Sequence, residues 1–129
     1  MSLLLNLRRA ESSQRGYLLS GDPQFLLTHR PAMDAVLPTL AEIEAALANN
    51  PVQRDAFAPL KPRVIEELDE LRETIRRYDT GDAAGAIALF KTGAGRQSME
   101  NIRVIVEGMQ QEGERQPRWS RSNSSRRRA

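Results

Sequence analysis

The chain has 129 residues, 40% of them hydrophobic, 28% charged and 5% aromatic, with no cysteine. That is enough for one folded core and not for two; it excludes a disordered chain, a disulfide framework and a thiolate metal site, and a core of Leu, Ile, Val, Ala and Met favours helices over a β-sandwich. The net charge of +2 hides an asymmetry: residues 115–129 hold six Arg and no acid, which leaves thirteen basic against seventeen acidic side chains, a net −4, over residues 1–114.

The apolar period is helical nearly throughout, and no stretch alternates as a strand requires. Leu3 to Leu19 predicts the first helix, which ends at Ser20-Gly21 with the glycine supplying a left-handed turn. Asp22 caps the second helix and Pro23 stands at its first position. That helix runs from Pro23 to about Ala48. Leu26, Met33, Leu40 and Leu47 recur at heptad spacing, as do His29, Val36 and Ile43, and together they form an a/d seam. Pro31 and Pro38 should bend the helix without ending it, because the seam stays in phase across both.

Asn49-Asn50-Pro51 is a turn. The third helix is predicted from about Val52 to Tyr78, with Phe57, Val64, Leu71 and Tyr78 at one heptad position and Lys61, Leu68 and Ile75 at the other. Pro59 and Pro62 should kink or interrupt its first two turns. Thr80-Gly81-Asp82 repeats the stop and cap of Ser20-Gly21-Asp22. A fourth helix then begins near Asp82 and carries Ile87, Leu89 and Phe90. It is weakened or kinked at Gly93-Ala94-Gly95, resumes as Met99, Ile102, Val106 and Met109, and loses its pattern after Gly113 and Pro117.

Short turns between long helices make sequential neighbours antiparallel. The expected fold is therefore all-α: an antiparallel up-and-down four-helix bundle over residues 1–114, with both termini at the same end. Residues 115–129 read as a basic Arg/Ser-rich tail, disordered or foreign to the domain. No run reaches the ~18 apolar residues that cross a bilayer. Leu3-Leu4-Leu5-Asn6-Leu7 is either the stub of a membrane helix or the first core turn.

Glu11, Gln14 and Leu18 continue the Leu4–Leu7 seam, so two polar side chains should point into the bundle. A buried carboxylate needs a partner, and Arg15, Arg8 and Arg9 are the candidates. Two readings stand: a polar layer that senses a ligand or sets helix register, and an ordinary satisfied hydrogen-bond network. Gly16 allows a neighbouring helix to approach, with Tyr17 packing over the gap. His29, the single histidine, reads as a half-buried or seam-edge residue and not as a metal ligand.

Glu66, Glu67, Asp69, Glu70 and Glu73 read as the solvated outer arc of the third helix. Lys91-Thr92-Gly93-Ala94-Gly95-Arg96 is superficially like a phosphate loop but lacks the Gly-Lys-Ser/Thr ending and a preceding strand. With no nucleophile–base pair, metal cluster or cofactor loop, no enzymatic activity and no cofactor are expected. The Arg-rich tail with Trp119 is of a kind that binds nucleic acid or anionic lipid. Asn123-Ser124-Ser125 matches a glycosylation sequon by chance.

The run from Glu11 to Asp22, Glu-Ser-Ser-Gln-Arg-Gly-Tyr-Leu-Leu-Ser-Gly-Asp, resembles the signature that opens CHASE3 domains, the extracytoplasmic helical sensor modules of bacterial histidine kinases and related receptors. Glu11, Gln14, Arg15, Gly16, Tyr17, Leu18, Leu19, Gly21 and Asp22 carry the match. Leu68 to Ile75 is similar to the family's third-helix segment, and Gly81-Asp82, Ala86 to Phe90, Gly93, Gly95, Met99, Ile102 and Arg103 to its last. Pro59, Pro62 and the tail depart from the pattern.

The resemblance implies a periplasmic input domain of an inner-membrane receptor, most simply a sensor histidine kinase. Flanking membrane helices and a cytoplasmic transmitter domain would be its partners, with no nucleic acid and an unidentified small-molecule stimulus. Such a bundle signals by displacing its first and last helices, which should also form a parallel homodimer interface. Gly85, Ala88, Gly95, Gly108 and Gly113 would permit close sliding there. The rival reading is a soluble helical adaptor or nucleic-acid-associated protein that uses the tail.

Overall fold

The computed structural model describes residues 2–92 and 94–115, and every regular element among them is helical. The expected four helices are six: α1 (Ser2–Ser20), α2 (Gln24–Ala46), α3 (Pro51–Phe57), α4 (Leu60–Asp79), α5 (Ala83–Lys91) and α6 (Ala94–Arg115). The additional ends come from the predicted third and fourth helices, each of which breaks once. At Ala58-Pro59 the chain turns, because proline has no N–H to give and its ring clashes with the carbonyl four residues back. Pro62 interrupts nothing, since it falls in the first turn of α4, where helical N–H groups lack partners anyway. The second break is at Thr92, whose hydroxyl donates to the Leu89 carbonyl at 2.8 Å. Gly93 lies outside the described residues, as do residues 116–129, which hold nearly all of the predicted tail. α2 continues through both Pro31 and Pro38.

The two glycine stops form as the sequence predicts. Gly21 has φ 70° and Gly81 has φ 95°, a region that side-chain-bearing residues avoid. Asp82 N–H reaches back to the Arg77 carbonyl at 2.8 Å, which closes the end of α4, while its carboxylate accepts from Gly85 N–H at 2.8 Å and opens α5. Asp22 accepts from Gln24 N–H at 3.0 Å. Pro23 precedes α2 instead of opening it.

α1 lies along α2, α4 packs against α5 and α6, α3 packs against α6, and α1 touches α4 and α5. Of the predicted α2 seam, Leu26, Met33, Val36, Leu40 and Leu47 are buried and Ile43 is half-buried, while His29, expected half-buried or at the seam edge, is buried. On α1 the buried line is Leu3, Leu7, Ala10, Gln14 and Tyr17, with Leu4 and Glu11 at its edge. Of the predicted third-helix seam, Phe57, Val64, Leu68 and Leu71 are buried, Ile75 and Tyr78 are half-buried, and Lys61 departs from it. Lys61 lies on the surface, 3.6 Å from the Glu44 carboxylate, and the seam position belongs to Leu60. From there the buried positions step through Val64, Glu67, Leu71 and Thr74, with Leu68 alongside.

Side chains tie distant parts of the chain together. Gln53 on α3 donates to the Met109 carbonyl on α6 at 2.9 Å. Tyr17 donates to Asp79 at 2.5 Å, and its ring lies 4.9 Å from that of Tyr78. His29 is buried with Nδ1 2.9 Å from the Ala10 carbonyl, and burial lowers its pKa.

Substituting alanine at Gly81 or Gly21 is expected to cost about 1–2 kcal/mol each, since the left-handed turn must be kept. At Gly21 the new methyl would also meet the Tyr78 hydroxyl at 3.1 Å. Urea denaturation should show a lower midpoint at unchanged slope; an unchanged midpoint would remove the turn from the account.

Candidate functional site

A cavity of about 300 Å³ opens between α1, α4 and the α5–α6 junction. Three elements supply its polar lining. Glu11, Gln14 and Arg15 come from successive turns of α1 at the i, i+3, i+4 spacing that places residues on one face. Glu67, Glu70 and Thr74 come from α4 by the same spacing. Lys91 and Arg96 arrive from either side of the break between α5 and α6. Leu71 and Phe90 complete the wall, and the Arg15 guanidinium stands 5.8 Å from the centre of the Phe90 ring.

The interior of this cavity is short of hydrogen-bond donors. Glu67 is 1% exposed and Gln14 is 3% exposed. Glu67 Oε2, Gln14 Oε1 and Glu11 Oε2 are buried, and none has a protein partner. Burial pushes the Glu67 carboxyl up to about 8, with the neighbouring Glu11 and then Glu70 carboxylates adding to the shift. Glu11 is raised as well, by burial, although Arg15, Arg8 and Arg96 pull it back. Burial also raises Glu70. Arg15, Lys91 and Arg96 make no ion pair among the described residues. Among the described residues no set of three His, Cys, Asp or Glu stands close enough to hold a metal ion.

The predicted motif residues divide by position. Glu11, Gln14 and Arg15 meet at the cavity, as the expected polar layer requires. Of the partners expected for Glu11, Arg15 and Arg8 act on it through charge, joined by Arg96, and its Oε2 has no hydrogen-bond partner in the protein. Gly16 sits under the Phe25 ring of α2, whose atoms occupy the place a Cβ would take. Tyr17 does not cover that gap; it turns toward Tyr78 and Asp79. Gly21 and Asp22 shape the turn into α2. Gly95 falls in the first turn of α6, and Met99 packs half-buried against the core. Arg103 pairs with Glu100 and, at 2.6 Å, with Glu107 on the surface of α6, away from the cavity.

Sequence reading missed Glu67. It assigned that carboxylate to the solvated arc, which holds for Glu66, Asp69 and Glu73 beside Arg63, Arg72, Arg76 and Arg77, but not for Glu67, nor for Glu70, which is half-buried and lines the cavity. The available signal was the 4-3-4-3 spacing of Leu60, Val64, Glu67, Leu71 and Thr74. Lys91 and Arg96 belong to the stretch set aside as a failed phosphate loop, and both line the cavity.

The pH dependence of stability follows. Folded, Glu67 keeps its proton up to about 8; unfolded, it releases it near the ordinary 4.5. The stabilisation is full below the unfolded value and is lost as pH rises through the folded one. Glu11 and Glu70 shift in the same direction, whereas His29, whose pKa is lowered, withdraws stability as pH falls below its ordinary 6.5. Glu67→Gln should raise stability by roughly 1–3 kcal/mol at alkaline pH and flatten the decline that runs from pH 4.5 to about 8. Urea denaturation at the two pH values measures this, and an identical decline in the variant would contradict it.

No curated protein matches the chain. Among solved structures it is similar to the one described as the crystal structure of the Rhodopseudomonas palustris histidine kinase HK9 sensor domain, with 20% identity, 88% of each chain covered and a TM-score of 0.79. At that identity the likeness establishes a shared fold. The CHASE3 domain family matches residues 1–118, nearly the whole chain, and carries the assignment further. The chain belongs to the CHASE3 domain family.

Proposed function

We propose that residues 1–114 form the extracytoplasmic input domain of a bacterial transmembrane receptor, in the first instance a sensor histidine kinase. Residues 115–129 are then an appendage with no part in sensing. The observation that carries this reading is the family match, joined by a cavity whose buried acceptors have no partners in the protein. No helix among the described residues is long and apolar enough to cross a membrane, so the receptor's membrane helices would flank this domain.

In this reading the helices form an antiparallel four-pass bundle: α1, α2, then α3 with α4, then α5 with α6. Two ties support that order. Gln53 at the start of α3 meets Met109 late in α6, and Tyr17 late in α1 meets Asp79 at the end of α4. An even number of passes returns both termini to the membrane side. The first and last passes are then the output elements. Leu5 on α1 and Val104 on α6 are 49% and 55% exposed, and Gly108 faces open space, which suits a parallel homodimer built from these two helices. The cavity lies between them, so its contents bias their relative position.

Two measurements test this. The full-length gene should place apolar runs of ~20 residues on both sides of the domain, with a transmitter module after the second; a chain that ends directly after the Arg-rich tail favours the adaptor reading. In the intact receptor, replacing Glu11 and Gln14 together by leucine should stabilise the bundle and hold autophosphorylation in one state. Normal switching in that double variant would make the polar layer structural only.

A further inference from the structure

We infer that the cavity between α1, α4 and the α5–α6 junction is a binding site for a small zwitterion, an α-amino acid or closely related aminocarboxylate, with its ammonium group inward and its carboxylate at the α5–α6 side. This rests on the sensor reading for its meaning as a stimulus, though the binding itself does not depend on it.

The inner wall sets the polarity of one end. Glu11 Oε2, Gln14 Oε1 and Glu67 Oε2 are three buried acceptors without protein donors. Leaving such atoms unmet costs free energy, and an ammonium group brings three N–H donors and the positive charge that two carboxylates call for. A carbonyl, hydroxyl or anion would meet the acceptors less well or be repelled. Gln14 matters here because its amide oxygen accepts and carries no charge, so it adds hydrogen bonding without deepening the negative potential.

The other wall sets the polarity of the opposite end. Arg15, Lys91 and Arg96 line the same cavity and have no ion-pair partner among the described residues. These cations are exposed at the mouth of the cavity, where they favour a carboxylate end over a plain amine, and a plain carboxylate would face the inner acids. An ammonium group beside Glu67 favours its ionised form, and Glu11, Glu67 and Glu70 then balance Arg15, Lys91 and Arg96, which suits a ligand with no net charge. Size narrows the class further. A volume of about 300 Å³ is at the lower limit of small-molecule pockets, and Leu71 with Phe90 gives an apolar side chain something to rest against. Among the described residues the carboxylates form no three-ligand metal set.

The test uses the full chain. Each of the standard α-amino acids is added at ~10 mM, the scale at which even millimolar affinity saturates, and the melting temperature is followed, with methylammonium and acetate as the two half-ligands. At least one amino acid should raise the melting temperature and bind by calorimetry, while neither half-ligand does. Glu67→Gln and Gln14→Leu each keep shape, and their own melts report that they fold. Each should weaken binding by about tenfold or more, the worth of a buried charged or neutral hydrogen bond. Arg96→Ala should weaken amino-acid binding without creating affinity for acetate. The inference is overturned if no amino acid shifts the melt, if methylammonium binds as tightly as the amino acid, or if binding survives in all three variants. Those failures leave the receptor reading untouched, because it stands or falls on the gene context and on autophosphorylation.

Discussion

A carboxylic acid at a heptad seam position must be protonated or paired, because low-dielectric surroundings penalise its charge. Glu67 occupies such a position. Val64, Leu68 and Leu71 bury their side chains around it on α4, and α1 closes from the other side with Gln14. Its carboxyl faces the cavity between α1, α4 and the α5–α6 junction, with almost none of its own surface open to solvent. The unpartnered Glu67 oxygen and its raised carboxyl pKa follow from that placement, whereas Glu11 and Glu70 are raised mainly by their own burial.

The same placement gives the bundle two ways to relieve the layer. A proton on Glu67 removes its charge, and a cationic group in the cavity meets it. The groups concerned come from three places, Glu11 and Gln14 from α1, Glu67 from α4, and Lys91 and Arg96 from α5 and α6. A ligand shifts an equilibrium only by its difference in affinity for the two arrangements. Side chains drawn from both walls supply such a difference, because they cannot all reach one small molecule if α1 moves relative to α6.

Much of the fold was legible in the sequence because its strongest signals are local. The α2 seam from Leu26 to Leu47 is apolar at every heptad step, and Gly21 and Gly81 each stand where a helix must stop in a left-handed turn. Glu11 and Gln14 were legible as inward residues for the same reason. Glu67 was not. Leu68 and Ile75 offered a more apolar heptad than Glu67 and Thr74, so counting apolar residues favoured a phase one residue late, and the turn at Ala58-Pro59 hid the true start at Leu60. Lys91 and Arg96 were illegible as site residues because their place depends on how the chain folds back at the α5–α6 break, a tertiary fact with no local pattern. Phe25 over Gly16 is a similar case: the glycine announced a close contact, but not which ring would fill it.

The carboxyl carbon of Glu67 can be followed directly by nuclear magnetic resonance as pH is raised on the selectively labelled chain. The buried, unpaired layer described here predicts that its chemical shift titrates with a midpoint at about 8, well above the ordinary value of 4.5. A midpoint at or below the ordinary value would mean that Glu67 is solvated or paired with a cation, and the polar layer would lose its central member.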